Sequence, residues 1–271
     1  MRISIVTLAY NNGRFVEDAI QSVLSQEYPD LEYIVIEPGS TDDTRAVVER
    51  YRDRLQGLIT SPDDGPADGL NKGFAAATGE VFGFLNADDL LLPGALRKVA
   101  DAFARRPDSQ IISGHIWIID ENGRRVRRSY TDPFDPAAFA YRTCTIGQQS
   151  TFVRAAAFRR AGGFNPGNRV AWDAELFLRI LSEAKSMTVL DEFLGAFRIH
   201  PASITGSRQN RDLHRAYFER RFRTVMGREW RRSDELVRLL YYGRKYLLSP
   251  HSLYERVLRG SIIKGRIAPK F

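Results

Sequence analysis

Apolar positions along this chain follow two rhythms. Short runs of consecutive aliphatic residues mark buried strands, and apolar residues three and four apart mark amphipathic helices. Residues 3–8 (ISIVTL) form the first run, closed by the turn residues Asn11-Asn12-Gly13. Val16, Ala19, Ile20, Val23 and Leu24 then predict a helix that ends at Tyr28-Pro29. Residues 31–37 (LEYIVIE) are a second strand. Pro38-Gly39-Ser40-Thr41 turns the chain into a helix with Asp42 and Asp43 in its first turn and Ser40 or Thr41 as N-cap. Residues 58–60 are a third strand, 67–77 a helix and 81–85 a fourth strand that ends in Asn86-Ala87-Asp88-Asp89.

Strand-then-helix units of this kind build a parallel sheet covered by helices on both faces. Ligands of such sheets bind beyond the carboxyl ends of the strands. The polar loops 9–13, 37–41 and 86–89 all fall there. Further on, residues 111–119 read as a strand, Asn122-Gly123 as a hairpin turn and 125–130 as the return strand. Residues 151–153 are another strand, followed by a helix ending at Gly162-Gly163, and 174–183 are a helix. Beyond His200 the pattern is helical and basic.

Composition adds limits. At 271 residues the chain holds one large α/β domain, or one with an appendage. Cys144 is the single cysteine, which excludes an intramolecular disulfide and cysteine-rich metal sites and fits a reducing, cytoplasmic compartment. The first ten residues read as a strand and not as a signal peptide, and no run reaches the roughly 18 apolar residues of a membrane span. The net charge of +7 is unevenly spread. Residues 207–271 carry 17 Lys and Arg against 6 Asp and Glu, a net of +11, which leaves 23 against 27, or −4, for residues 1–206. The expected division is therefore a mildly acidic catalytic domain, 1–206, and a basic amphipathic helical extension, 207–271. The apolar side of that extension either covers the domain or enters the interface of an anionic membrane, at the inner face of the cell membrane.

Walker, GxGxxG, HExxH and GxSxG motifs are absent. Asn86-Ala87-Asp88-Asp89, directly after an apolar strand, offers hard oxygen ligands for a divalent cation that bridges phosphates; taken alone it reads equally as a helix cap or a solvated turn. Three other stretches complete an ordered set: Thr7-Leu8-Ala9-Tyr10-Asn11, Glu37-Pro38-Gly39-Ser40-Thr41-Asp42, and the run from Asp64 to Gly73 containing Asp68, Asn71 and Lys72. Together they resemble the family-2 glycosyltransferases of the GT-A fold, a Rossmann-like α/β fold.

The resemblance implies a nucleoside-diphosphate sugar as donor and a divalent metal, Mn²⁺ or Mg²⁺. Thr7, Ala9 and Tyr10 would line the base pocket. Glu37, where the family usually has Asp, would accept a hydrogen bond from a ring N–H of a uracil- or thymine-type base. Asn11, Ser40, Asp68, Asn71, Lys72 and Ala87 would complete the donor site, and Asn86 would contact the ribose. Asp88 would bind the metal, with His200 of Arg198-Ile199-His200 as a further metal ligand or diphosphate contact. Asp89 would be a helix cap or a partner behind the metal site. Asp173, in Trp172-Asp173-Ala174-Glu175-Leu176, would be the general base, and Gln148, Gln149, Trp172, Glu175 and Arg198 would meet the sugar or the acceptor.

The implied reaction is inverting transfer from a UDP- or dTDP-type sugar to a hydroxyl of a glycan or lipid-linked acceptor, as in bacterial surface polysaccharide assembly, without a covalent intermediate. A nucleotidyltransferase would need a glycine-rich, basic loop after the first strand, where residues 8–15 (LAYNNGRF) hold one Gly and one Arg. A nucleic-acid partner is opposed by the acidic first 206 residues. A non-catalytic sugar-nucleotide binder is the remaining alternative, prompted by Asn86 and Trp172.

Overall fold

The computed structural model describes residues 1–184, 186–201 and 210–260. Strands β1 (Ile3–Leu8), β2 (Leu31–Ile36), β3 (Gly57–Ile59) and β4 (Val81–Asn86) pair in parallel in the spatial order β3-β2-β1-β4. They are short and rich in aliphatic residues, and β1, β2 and β4 are buried on both faces, as parallel strands between helices must be. Past β4 the sheet becomes mixed. β8 (Thr151–Arg154) runs antiparallel to β4, β6 (Ile111–Ile119) antiparallel to β8, and β9 (Met187–Arg198) parallel to β6. β5 (Leu90–Leu91) closes that edge against β9, and β7 (Arg125–Ser129) returns from β6 in the expected hairpin. β1, β2, β3, β4, β6 and β9 share one direction, so the sheet is mostly parallel, as expected.

Alternation along β1 divides the core in two. Ile3 and Ile5 join a cluster with Val16 and Ile20 of α1 (Val16–Leu24), Val48 of α2 (Thr44–Glu49) and Leu96 and Phe103 of α4 (Ala95–Arg105). Val6 points the other way, to Leu70 and Phe74 of α3 (Pro66–Ala76), Phe158 of α6 (Ala155–Arg160) and Leu176 of α7 (Trp172–Ala184). Helix α3 lies so close to β1 that a Cβ on Gly73 would stand 2.5 Å from Val6.

Three elements depart from expectation. α2 begins at Thr44, not at residue 42, because the Asp42 carboxylate takes up the Thr44 N–H at 3.0 Å and ends the turn there. Neither Ser40 nor Thr41 caps it; the Ser40 hydroxyl accepts from Asn11 N–H instead. Asp89 caps no helix, since α4 starts six residues later. β9, twelve residues long, occupies a stretch where the apolar pattern set no strand limits.

The expected boundary at 206 lies outside the described residues. Helices α8 (Arg211–Met226), α9 (Asp234–Leu248) and α10 (Pro250–Arg259) rest on the rest of the chain. Phe222 packs edge-on to Tyr141, beyond the end of α5 (Pro136–Ala140), and Trp230 and Tyr241 close the cluster. Lys245 pairs with Asp132 at 2.7 Å and Arg244 with Asp135 at 2.9 Å. The opposite side of α9 and α10 is bare: Leu236, Leu239, Leu240, Leu247, Leu248, Val257 and Leu258 are each more than half exposed. Among the described residues no helix is long and apolar enough to cross a membrane.

Candidate active site

The loops after β1 and β2 are laced together. Asn11, at φ +50°, donates its N–H to Ser40 Oγ (3.0 Å), and its Oδ1 accepts from Thr41 N–H (2.9 Å). Gly13 N–H reaches Asp42 Oδ2 at 2.9 Å, and Asn12 N–H reaches Thr44 Oγ1 at 2.7 Å. Burial pushes the Asp42 carboxyl up, but the hydrogen bonds from Thr44 and Gly13 outweigh it and hold it below its ordinary value. These loops form one side of a cleft of about 790 Å³ at the carboxyl ends of the strands.

Nine of the sequence-predicted residues line that cleft: Tyr10, Asn11, Asn86, Asp88, Gln148, Gln149, Trp172, Asp173 and His200. Phe15, Glu121, Val170 and Phe197 line it too, and no motif in the sequence pointed to them. Asp88 Oδ2 lies 3.0 Å from His200 Nε2, and the His200 ring packs against Phe15. Among the described residues no group of three His, Cys, Asp or Glu side chains is disposed to hold a metal by itself. Asp88 and His200 are the side chains that would hold a divalent cation here, and two protein ligands would suffice where a diphosphate and water supplied the rest.

Asp89, fully buried behind Asp88, joins three elements. Its Oδ1 accepts from Arg198 N–H at 3.0 Å, and its Oδ2 from Gln149 Nε2 at 2.9 Å and Asn86 Nδ2 at 3.2 Å. Burial, and then the adjacent Asp88 charge, push its carboxyl well above the usual range against those hydrogen bonds.

Other expected site residues do not line the cleft. Thr7 turns into the core, where its hydroxyl accepts from Tyr33 Oη at 3.0 Å, and Ala9 and Ala87 are buried just past the ends of β1 and β4. Arg198 was expected at the sugar or acceptor. Its buried guanidinium instead donates to Asp88 O (2.9 Å), Glu121 O (3.2 Å) and Asp18 (2.9 Å), so it fixes the backbone of the acidic turn. Glu175 accepts from Asn165, Asn168 and Arg220, bracing the loop ahead of α7. Asp68 and Lys72 pair at 2.8 Å and hold the loop before α3, while Asn71 clasps both backbone groups of Phe164 at 2.9 Å. Ser40 belongs to the lacing. Glu37, buried, accepts from Ser40 N–H at 2.6 Å through Oε1; its Oε2 has no partner among the described residues.

Asp173 sits in the first turn of α7, where aligned N–H groups favour an anion. A second cavity, of about 420 Å³, opens beside the cleft. Asp173, Gln148, Gln149 and Phe197 line both, so this carboxylate stands at the junction of two chambers.

The curled, mostly parallel sheet with its helices is the GT-A glycosyltransferase architecture. Two solved structures share it: Staphylococcus aureus TarS 1-349 in complex with UDP-GlcNAc (TM-score 0.67, 20% identity, 95% of this chain and 74% of that one), and the mannosyltransferase PcManGT from Pyrobaculum calidifontis in complex with GDP-Man and Mn²⁺ (TM-score 0.64, 16% identity, 96% and 76%). The chain belongs to glycosyl transferase family 2, whose profile matches residues 4–162. Among relatives, an uncharacterized glycosyltransferase of Nostoc, alr2836, is 36% identical over 135 residues, 48% of this chain. The O-antigen biosynthesis protein RfbC of Myxococcus xanthus is 32% identical over 189 residues, 68% of this chain. The chain spans 41% and 15% of those two proteins' own lengths.

Proposed function

We propose that this chain is an inverting, metal-dependent glycosyltransferase. It takes a sugar from a nucleoside diphosphate, UDP- or dTDP-type, and places it on a hydroxyl of a glycan or lipid-linked acceptor in bacterial surface polysaccharide assembly. One observation carries the reading: Asp173 lines both chambers, as a base between donor and acceptor must. The donor occupies the larger cleft. Tyr10 and Asn11 border its nucleotide; Glu37, buried behind them with Oε2 unpartnered among the described residues, would reach a ring N–H of the base only through a shift of the loop after β2. Mn²⁺ or Mg²⁺, held by Asp88 and His200, would neutralise charge on the diphosphate; the bound Mn²⁺ of the Pyrobaculum enzyme supports this.

Asp173 accepts the proton of the acceptor hydroxyl as that oxygen bonds to the anomeric carbon. The carbon–oxygen bond to the diphosphate breaks on the opposite face, and its electron pair leaves with the phosphate oxygen. Arg198 and Asp89 hold the Asp88 turn in place from behind. The basic helices, with their bare leucine face, support peripheral contact with an anionic membrane from the cytoplasmic side.

A panel of UDP-, dTDP- and GDP-sugars, scored for metal-dependent release of nucleoside diphosphate and for transfer, tests the assignment. Asp173→Asn is expected to bind donor normally and lose about 10²–10⁴-fold in transfer, and Asp88→Ala to lose metal-dependent donor binding. Near-normal turnover by either variant refutes the role of the residue replaced.

A further inference from the structure

The smaller chamber is strongly basic. Arg127 and Arg128 of β7, Arg142 just past α5, Lys245 of α9 and Arg256 of α10 line it, against the carboxylates of Asp173 and Glu255. Lys245 is matched by Asp132. Among the described residues, none of the four arginines forms an ion pair with a carboxylate. Arg128 lies over Trp117 and Arg256 over Tyr242, with guanidinium carbons 5.2 and 5.4 Å from the ring centres. Arg142 is held at φ +63°, a conformation uncommon for a side chain of its size, with its guanidinium 4.0 Å from the Phe218 ring. Outside the chamber's lining, the buried Arg221 guanidinium packs against the same cluster, 4.9 Å from that ring. Gathering like charges is unfavourable unless an anion joins them.

We infer that the acceptor is itself an anion, carrying a phosphate or diphosphate group that these arginines bind while its hydroxyl faces Asp173. This rests on the reading of Asp173 as the base. Arginine forks suit phosphate oxygens, which accept paired N–H donors. Tyr130, Tyr242 and Tyr246 in the same wall provide flat surface for the rest of the acceptor. Helices α9 and α10 are then part of the acceptor site. The phosphate belongs either to a lipid headgroup or to a phosphorylated glycan.

The test is calorimetric titration of the full chain, in EDTA, with inorganic phosphate and with octyl phosphate. Arg142 and Arg256 are exposed, so Arg142→Gln and Arg256→Gln remove charge without opening the core. Each is expected to weaken binding about tenfold, with unchanged melting temperature, while Arg52→Gln on a distant face leaves it as it was. Octyl phosphate binding well above inorganic phosphate assigns a lipid source; equal binding assigns a phosphorylated glycan. Absence of binding, or equal binding by wild type and both cavity variants, overturns the inference. Sugar-nucleotide hydrolysis by the wild-type chain is scored separately, so phosphate binding without hydrolysis strikes the transferase reading alone.

Discussion

Burial lifts the Asp173 carboxyl above its ordinary value, and the N–H groups of Ala174 and of Asp173 itself pull it partly back. A general base works only when deprotonated, so raising its pKa moves the loss of activity to higher pH. The acid limb of kcat/KM against pH is expected to fall above 3.8, the ordinary aspartate value, and a limb at or below that value excludes Asp173 as the titrating base. The placement of such residues was legible because motifs are local: Asn86, Asp88, Asp173 and His200 all line one cleft. Thr7 and Arg198 belong to such motifs yet face inward. Strand parity and a distant partner, Tyr33 for one and Asp18 for the other, decide that, and neither is a property of neighbouring letters. Phe15, Glu121 and Phe197 had no motif at all.

The cleft is built where element ends meet, and Asp89 is the joint among β4, β9 and the turn at Gln149. Asp89→Ala removes both acceptor oxygens and leaves the buried Arg198 N–H and the Gln149 and Asn86 amides without that partner. Stability is expected to fall by about 1–3 kcal/mol, read as a lower urea midpoint at unchanged m-value; an unmoved midpoint rejects the joint. β1, β2, β4, α1 and α3 could be read from the sequence because each holds one period throughout. β9 could not. Asp191 and Glu192 interrupt its apolar pattern, and its register against β6 shifts in that region, at Ser113–Ile116. α2 began late because side-chain hydrogen bonds of Asp42 competed with helix backbone.

Across the whole molecule the division of charge was visible in the sequence, whereas the destination of the C-terminal apolar residues was not. Tyr217 and Phe222 turn inward, and the leucines of α9 turn out, because only tertiary contact separates two apolar stripes. Full-length protein is expected to sediment with anionic vesicles and to release as salt rises. Replacing Leu239, Leu240 and Leu247 by Ser removes roughly 1–3 kcal/mol of burial each and is expected to abolish that binding; equal sedimentation by the variant rejects a membrane role for this face. The shared wall of the two chambers has a kinetic corollary. On the role proposed for Asp173, a carboxylate that borders both rooms would activate whatever hydroxyl stands in the smaller one, water included. Fidelity would then be a matter of occupancy, and each turnover without an acceptor would leak sugar to solvent.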